Sequence, residues 1–215
     1  RDGSSVFSKS NKYGGFPSVA LGWNISRESF MAPINDVVNN LKLRVSYGKT
    51  GNEAIAIYQS LTKLEANTLA MNGATTTSLK VNRTMGNDDL TWESNTSFNT
   101  GVDFGLWNNR VNGTIDLYWA TTTDLLMRRN LPTSLGYDNV WTNMGEVANR
   151  GVEITINSRN LTINDFAWNT TLVFASNKNE IKELYGDGLD DRGNRWFIGK
   201  PIGVIFDYTM LGIWQ

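Results

Sequence analysis

Three pairs of carboxylates are the residues of this chain that could support hydrolysis of a glycosidic bond. They are Asp88 with Asp89, Glu146 with Glu153, and Asp190 with Asp191. A glycosidase holds two carboxyl groups a few ångströms apart in a cleft, and the spacing of these pairs predicts no such cleft. The chain has no His and no Cys, so it lacks the commonest general base and any thiolate nucleophile. We predict no catalytic residue and no enzymatic activity, with a piece of a β-rich glycan hydrolase as an alternative.

An acidic stretch near the end of the chain has the residue types of a calcium loop, namely Asp187, Asp190, Asp191 and Asn194. The EF-hand spacing is not met, and no bidentate Glu follows at the required distance. Four glycines, at positions 48, 51, 145 and 151, form no phosphate-binding signature because none precedes a predicted helix. We therefore predict a solvated loop, glycines at strand bends, no metal ligand and no cofactor.

Charge and hydropathy limit the class of protein. The formal net charge of −1 gives no basic field for nucleic acid. No apolar run approaches about 18 residues, which excludes a transmembrane helix, whereas the alternating strands of a membrane β-barrel dilute the hydropathy signal and stay compatible with it. The chain is rich in aromatic residues, and its eight tryptophans are Trp23, Trp92, Trp107, Trp119, Trp141, Trp168, Trp196 and Trp214.

The tryptophans have two possible functions. Those near strand ends on an apolar face, such as Trp107, are typical of an aromatic girdle at a membrane interface or of packing. Trp141 and Trp196 fall in predicted long loops, where an indole ring can stack on a sugar ring. For these two residues we keep both possibilities, substrate binding and packing.

Residues 90–126 predict a long hairpin that organises the rest of the chain. Its apolar positions alternate with polar ones, as in a strand with two unlike faces. The apolar set is Phe98, Val102, Phe104, Leu106, Val111, Ile115, Leu117 and Trp119. The polar set is Asn99, Gly101, Asp103, Gly105, Asn112, Thr114, Asp116 and Tyr118. Asn108 and Asn109 suit a two-residue turn because Asn tolerates positive φ.

Similar alternation predicts strands at residues 16–25, 41–48, 55–64, 152–157, 166–174 and 202–210, with a helical turn near 29–31 and a polar turn at about 159–165. The connections after residues 25, 107 and 157 are short or moderate, and those after 48, 126 and 176 are long. Short turns at one end of the strands and long loops at the other are typical of outer-membrane barrels. Lys42 and Arg44 are expected on the water-exposed face of the sheet, because a cation that faces lipid at the middle of the bilayer costs about 2–4 kcal/mol.

Several sequence blocks resemble the SusC/RagA family of TonB-dependent outer-membrane transporters. They are LKLRVSYGKTGN at 41–52, LTWE at 90–93 with the hairpin that follows, NMGEVANRGVE at 143–153, residues 16–23, and GIWQ at 212–215. The resemblance implies an all-β fold, an antiparallel transmembrane β-barrel of about 22 strands. Residues 1–215 are then expected to be a single wall segment of roughly eight or nine strands without the plug. Its long extracellular loops are expected at about 49–89, 124–148 and 177–200.

The same resemblance implies location in the outer membrane of a Gram-negative, Bacteroidota-like cell and import of oligosaccharides or peptides. The implied partners are a SusD-like surface lipoprotein, TonB acting through the plug, the substrate and outer-membrane lipid, with no nucleic acid. Since Arg1 begins in mid-pattern without a signal peptide, we expect an internal piece of the transporter. A soluble β-sandwich that binds carbohydrate is the alternative, and it explains the loop aromatics but not the continuous apolar faces.

Overall fold

The chain is almost entirely β-structure in this computed structural model, which describes residues 1–71, 73–207, 209 and 212. The strands among these residues are β1 Asp2–Gly3, β2 Tyr13–Gly14, β3 Ser18–Asn24, β4 Val38–Asn52, β5 Leu64–Met71, β6 Ala74–Val81, β7 Thr84–Met85, β8 Glu93–Leu106, β9 Val111–Thr123, β10 Leu126–Asn130, β11 Asn139–Asn143, β12 Glu146–Ile163 and β13 Phe166–Glu183. Tyr208, Met210 and Trp214, which belong to predictions for the end of the chain, lie outside the described residues, as does most of the GIWQ block.

Six long strands form one sheet in the order β13-β12-β9-β8-β4-β3. β12 and β13 are each 18 residues long and pair antiparallel from Glu146↔Glu183 to Ile163↔Phe166. The all-β, antiparallel fold that the family resemblance implies is confirmed. The other strands pair separately, as β1-β2, β5-β6 and β10-β11-β7.

The two faces of the six-stranded sheet differ as the alternation predicts. Large apolar side chains project from one face and are exposed, for example Leu21 at 73% and Leu172 at 58%. Residues directly opposite across an antiparallel pair share a face, so the pairs Ile154↔Phe174 and Ile156↔Leu172 extend this apolar surface over β12 and β13. The apolar side chains of β13 on this face, such as Phe174, stay exposed within the described part of the chain.

The turn between β8 and β9 has the two predicted asparagines at its centre, and four residues separate the two strands. Trp107, Asn108 and Asn109 have φ of 51°, 54° and 57°. The turn closes with a hydrogen bond from the Arg110 amide to the Trp107 carbonyl at 3.1 Å. Positive φ at the two asparagines was anticipated from their residue type, whereas the same conformation at Trp107 was not.

The strand predicted at residues 55–64 is wrong, apart from its last residue. The chain there is irregular, with Tyr58 at φ 64°. The neighbouring Thr- and Asn-rich stretch forms the hairpin β5-β6 instead, with every residue of β5 paired to β6 across a turn at Gly73. The local alternation of residues 55–63 finds no hydrogen-bonding partner strand, and a strand requires one.

The strand predicted at 202–210 is also wrong over its described part, since residues 202–207 adopt no strand. By contrast, the predicted polar turn at about 159–165 is mostly strand. β12 continues through it to Ile163 with an irregularity between Arg159 and Leu161, and only the two residues after it form the turn. β13 likewise runs to Glu183, so the first seven residues of the loop predicted from 177 are strand. Pairing along β12 and β13 outweighs the polar composition of both stretches.

Three short 3-10 helices interrupt the described chain, at Ile25–Arg27, Ser29–Ile34 and Thr133–Leu135. The second contains the helical turn predicted near residues 29–31. None of the helices among the described residues is both long enough and apolar enough to cross a membrane.

The described chain divides into two compact units. The first comprises Arg1–Val19, Tyr47–Ser97 and Thr122–Met144, and its core is the cluster of Val6, Phe7 and Leu90. The second comprises Ala20–Ser46, Phe98–Thr121 and Gly145–Gln215, and its most buried side chain is Ile181, 1% exposed.

Candidate functional site

One arginine on the polar face of the sheet binds two carboxylates from two other strands. The Arg44 guanidinium on β4 lies 2.8 Å from Asp103 Oδ1 on β8 and 2.8 Å from Asp116 Oδ1 on β9. Arg44 Nε also donates to Asp103 at 2.9 Å. Arg44 thus lies on the polar face of the sheet with the two carboxylates, as the alternation of its strand predicts. Because a single cation serves two part-buried carboxylates, this ion-pair cluster couples three neighbouring strands.

Gly101 makes room for the Arg44 cluster. A Cβ at this position would collide with the Asp116 carboxylate and lie 2.8 Å from Arg44 Nη2. The absence of a side chain at Gly101 therefore lets the three charged groups meet above the backbone of β8.

Neutral polar side chains continue this face over the other strands. Asn157 on β12 donates to Asn112 on β9 at 3.3 Å and accepts from Thr171 on β13 at 2.9 Å. Closer to the far end of the same two strands, Asn179 donates to Asn149 at 2.7 Å. The polar face is thus a laterally hydrogen-bonded surface of amides, hydroxyls and paired charges. Over the part of this face that the structure describes, the Arg44 cation is matched by the carboxylates of Asp103 and Asp116.

In the first unit, Glu93 at the start of β8 ties two long connections to the sheet. Its Oε1 accepts from Asn52 Nδ2 at 3.0 Å, at the end of β4, and its Oε2 accepts from the Leu126 amide at 3.1 Å. Both carboxylate oxygens are used. Glu93 thereby fixes the points at which the chain leaves β4 and enters β10.

Asn143 makes a second fixed point in the first unit. Its amide donates to the carbonyls of Thr91 at 2.8 Å and Asp124 at 2.9 Å, and its Oδ1 accepts from the Thr91 amide at 2.8 Å. Asn52, Glu93 and Asn143 all lie in sequence blocks that carry the family resemblance. Their joint role was missed from the sequence, because the blocks are distant from one another in the chain.

Trp141, one of the two tryptophans predicted to bind substrate, is half-buried in the first unit. It packs against the cluster of Val6, Phe7 and Leu90, and its indole N–H is buried without a hydrogen-bond acceptor among the described residues. The Arg128 guanidinium lies 5.1 Å from the ring centroid, within cation–π range.

Trp196, the other predicted substrate contact, lies in the second unit on the loop that follows β13. Its backbone exchanges hydrogen bonds with that of Asp191, at 2.8 and 2.9 Å, which makes a small closed loop between the two residues. Arg195 within it has φ 59°. The side chain of Trp196 is half-buried, so the structure gives this ring a defined position within its unit.

The acidic residues of the same loop are engaged by loop donors. Asp191 accepts from the Tyr185 hydroxyl and from Asn194 Nδ2, and Asp190 accepts from the Ile198 amide at 2.8 Å. Among the described residues, no three Asp, Glu, His or Cys side chains are grouped so that they could hold a metal ion. The carboxylates shape the loop.

Two pKa values in this loop are shifted by these contacts. Burial, followed by the hydrogen bond to Asp191, raises the pKa of Tyr185 to about 12. Burial alone would raise the pKa of Asp191, but hydrogen bonds from Tyr185 and Asn194 outweigh it and hold this pKa below its ordinary value. Both groups therefore keep their charge state across the physiological range, Tyr185 neutral and Asp191 ionised.

The carboxylate pair Glu146 and Glu153 lies on one strand, β12. At about 3.3 Å per residue the two are roughly 23 Å apart along it, whereas glycosidase carboxylates are about 5–10 Å apart. This pair does not form an acid/base pair within the strand.

Comparison with known proteins gives the family. A family model described as TonB dependent receptor-like, beta-barrel matches residues 1–208. The chain belongs to this family. The TonB-dependent receptor P26 of Formosa agariphila is 38% identical to it over 224 residues, covering 100% of this chain and 22% of the relative. The TonB-dependent receptor SusC of Bacteroides thetaiotaomicron is 38% identical over 195 residues, covering 88% of this chain and 19% of SusC.

Solved structures agree with the family assignment. The structure of the RagAB peptide transporter matches 93% of this TonB-dependent receptor chain with a TM-score of 0.82 and 29% sequence identity. The RagAB peptide importer in the open-open state matches 92% with a TM-score of 0.79. In each comparison the chain spans about a fifth of the relative's length. The receptor chain is thus a barrel segment related to SusC and RagA, as its sequence blocks predict, and its relatives are transporters.

Proposed function

We propose that this chain is part of the barrel wall of a SusC-like, TonB-dependent transporter in the outer membrane of a Gram-negative cell. The full-length protein imports oligosaccharides or peptides together with a SusD-like lipoprotein. TonB, acting on a plug domain, drives the transport. No bond of the substrate is made or broken.

A single observation carries the proposal, the contrast between the two faces of the six-stranded sheet. One face is apolar and exposed, with Leu21, Leu172 and Phe174 each more than half accessible. The other holds the Arg44 ion-pair cluster and the bridged amides. A barrel in lipid needs an apolar exterior and a polar interior. A soluble carbohydrate-binding β-sandwich needs neither an exposed apolar face of this extent nor charges on the opposite face.

In this arrangement the wall is passive. Hydrogen-bonded strands close the barrel without exposed backbone groups, as lipid requires. The paired charges of the Arg44 cluster give the substrate path a polar lining without a strong field of one sign. Long loops, fixed where they leave the sheet by Glu93 and Asn143, extend outward, and we propose that they contact the substrate and the lipoprotein.

The test measures growth and substrate uptake of cells from which the full-length gene has been deleted. Cells without it are expected to lose uptake of one class of large substrate, oligosaccharide or peptide, and to keep uptake of its monomers. The protein is expected in the outer-membrane fraction and to co-purify with a surface lipoprotein. Recovery of the full-length protein in the soluble fraction, with glycan binding there, would instead establish the β-sandwich alternative.

We further propose that Trp196 and Trp141 contact the substrate. Trp196→Ala in the full-length protein is expected to weaken apparent substrate affinity roughly 3- to 10-fold, because an aromatic contact contributes about 0.5–1.5 kcal/mol beyond its buried area. Trp107→Ala, which removes an exposed indole at the β8-β9 turn, is the matched control and should leave substrate affinity unchanged. Equal losses in both variants would argue against a substrate contact at Trp196.

Trp141 requires a different substitution because its ring is part of the core. Trp141→Phe keeps an aromatic ring there and removes an indole N–H that has no described acceptor. It should therefore retain stability while weakening substrate affinity. Unchanged affinity in a stable variant would assign Trp141 to packing alone.

A further inference from the structure

A group of cations lies on the apolar face of the sheet, just beyond its aromatic residues. Arg150 on β12 is paired with Lys178 on β13, in the same alternating set as Ile154↔Phe174 and Ile156↔Leu172. Residues of one set share a face, so both cations project from the apolar face. A groove of about 250 Å³ there is lined by Trp119, Arg150, Lys178, Glu180 and Lys182 among others. Trp119 packs against Phe98 at a ring-centroid distance of 5.8 Å.

The length of the apolar face of β13, measured up to these cations, matches the thickness of the apolar layer of a membrane. On β13 the apolar face runs from Trp168 through Leu172 and Phe174 to Lys178. About ten residues at roughly 3.3 Å each give a path of about 33 Å. Tilted by about 40°, as barrel strands are, this path rises about 25 Å, which is the height of a barrel's apolar band. Trp168 and Lys178 thus mark its two edges, and Lys178 lies at the edge near the long loops.

The group carries excess positive charge. Glu180 is the carboxylate in this groove, and it lies 2.6 Å from Lys182 Nζ and 3.8 Å from Lys178 Nζ. Arg150 makes no side-chain hydrogen bond or ion pair of its own among the described residues. The side chains of Lys178 and Lys182 are 58% and 45% exposed. Three cations against one carboxylate leave a local charge of about +2, with the guanidinium of Arg150 the least engaged.

We propose that Arg150, Lys178 and Lys182 bind the phosphate groups of an anionic lipid headgroup in the outer leaflet. The inference rests on the proposed function, since a barrel in the membrane is what presents this face to lipid. At this height the acyl chains lie along Leu172 and Phe174, the ring of Trp119 lies at the headgroup boundary, and the cations meet the phosphates. A guanidinium suits this role because its paired N–H groups match two phosphate oxygens. Neighbouring strands of the complete barrel pair through the strand edges and leave this face uncovered.

The test uses the purified full-length protein and lipid A carrying two phosphates, with binding measured by native mass spectrometry across a concentration series. The double variant Arg150→Gln/Lys178→Gln is expected to bind this lipid about 30-fold more weakly, from the usual contribution of two cations near a charged membrane surface. Lys9→Gln/Arg129→Gln removes the same two residue types from exposed positions of the first unit and should bind like the unmodified protein.

Two further probes identify which part of the lipid the cations bind. Lipid A without phosphates should bind the unmodified protein as weakly as the double variant binds the phosphorylated lipid. Inorganic phosphate alone should compete only at far higher concentration. The proposal is overturned if the double variant keeps its affinity, if the phosphate-free lipid binds equally well, or if free phosphate binds as tightly as the lipid. Such a failure in a protein that still sits in the outer membrane and imports substrate would leave the proposed function intact.

Discussion

Replacing Gly113 with alanine is expected to destabilise the full-length protein by at least about 3 kcal/mol, near or above the usual upper range for overpacking. Gly113 is buried in β9 at the point where that strand passes β12. A Cβ there would collide with the carbonyl oxygen of Thr155 and lie 3.1 Å from the Cα of Ile156. Both atoms are backbone, so relief requires the two strands to separate.

Gly15→Ala is the matched control, because a Cβ at Gly15 has no atom within 4 Å. The measurement is chemical unfolding of the full-length protein in detergent, together with the gel shift on heating that distinguishes a folded barrel from an unfolded one. Gly113→Ala should yield less folded protein and a lower unfolding midpoint, and Gly15→Ala should match the unmodified protein. Equal midpoints for all three proteins would show that β9 and β12 are not packed this closely.

Replacing Arg44 with methionine is expected to cost about 2 kcal/mol of stability. The change leaves Asp103 and Asp116 without their shared cation, and loss of one partner of a fully buried ion pair costs about 3–5 kcal/mol. The cost here is smaller because the three side chains are 24–38% exposed and water partly compensates the charges. Unfolding midpoints of the full-length protein measure the effect.

The rescue experiment separates charge from packing. Asp103→Asn with Asp116→Asn, added to Arg44→Met, removes the uncompensated charges and should recover most of the lost stability. Lys42→Gln removes a neighbouring cation of β4 that makes no described ion pair, and it should have little effect. If the triple variant is as unstable as Arg44→Met, the loss comes from the missing side-chain volume and the charge cluster contributes little.

The faces of the strands could be predicted from the sequence because they depend on local alternation. Arg44, Asp103 and Asp116 each fall on the polar face because every second residue of a strand points to the same side. This assignment holds even where the ends of a strand are misplaced. Which strands pair with each other does not follow from this alternation. Residues 55–63 alternate without a partner, while the weakly patterned stretch 64–81 forms a full hairpin because its two halves can pair across Gly73.

The environment of single residues was the least predictable part. Trp141 and Trp196 are both predicted in long loops, yet Trp141 lies on β11 and packs on Val6 and Phe7, which are far from it in the sequence. The bonds of Glu93 depend on Asn52 and Leu126 in the same way. Sequence blocks pointed to the right residues in LTWE and NMGEVANRGVE, but contacts across such separations require the fold itself.

The two fixed points at Glu93 and Asn143 have a consequence for how far the long connections can vary in sequence. Each residue holds the chain by side-chain hydrogen bonds at the point where a long connection meets the sheet. The rest of that connection therefore contributes little to the register of the strands. Insertions, deletions and exchanges in those stretches can then accumulate without disturbing the wall. On the proposed function, the barrel wall then stays the same while these connections change, and a new nutrient can be bound without rebuilding the membrane-facing surface.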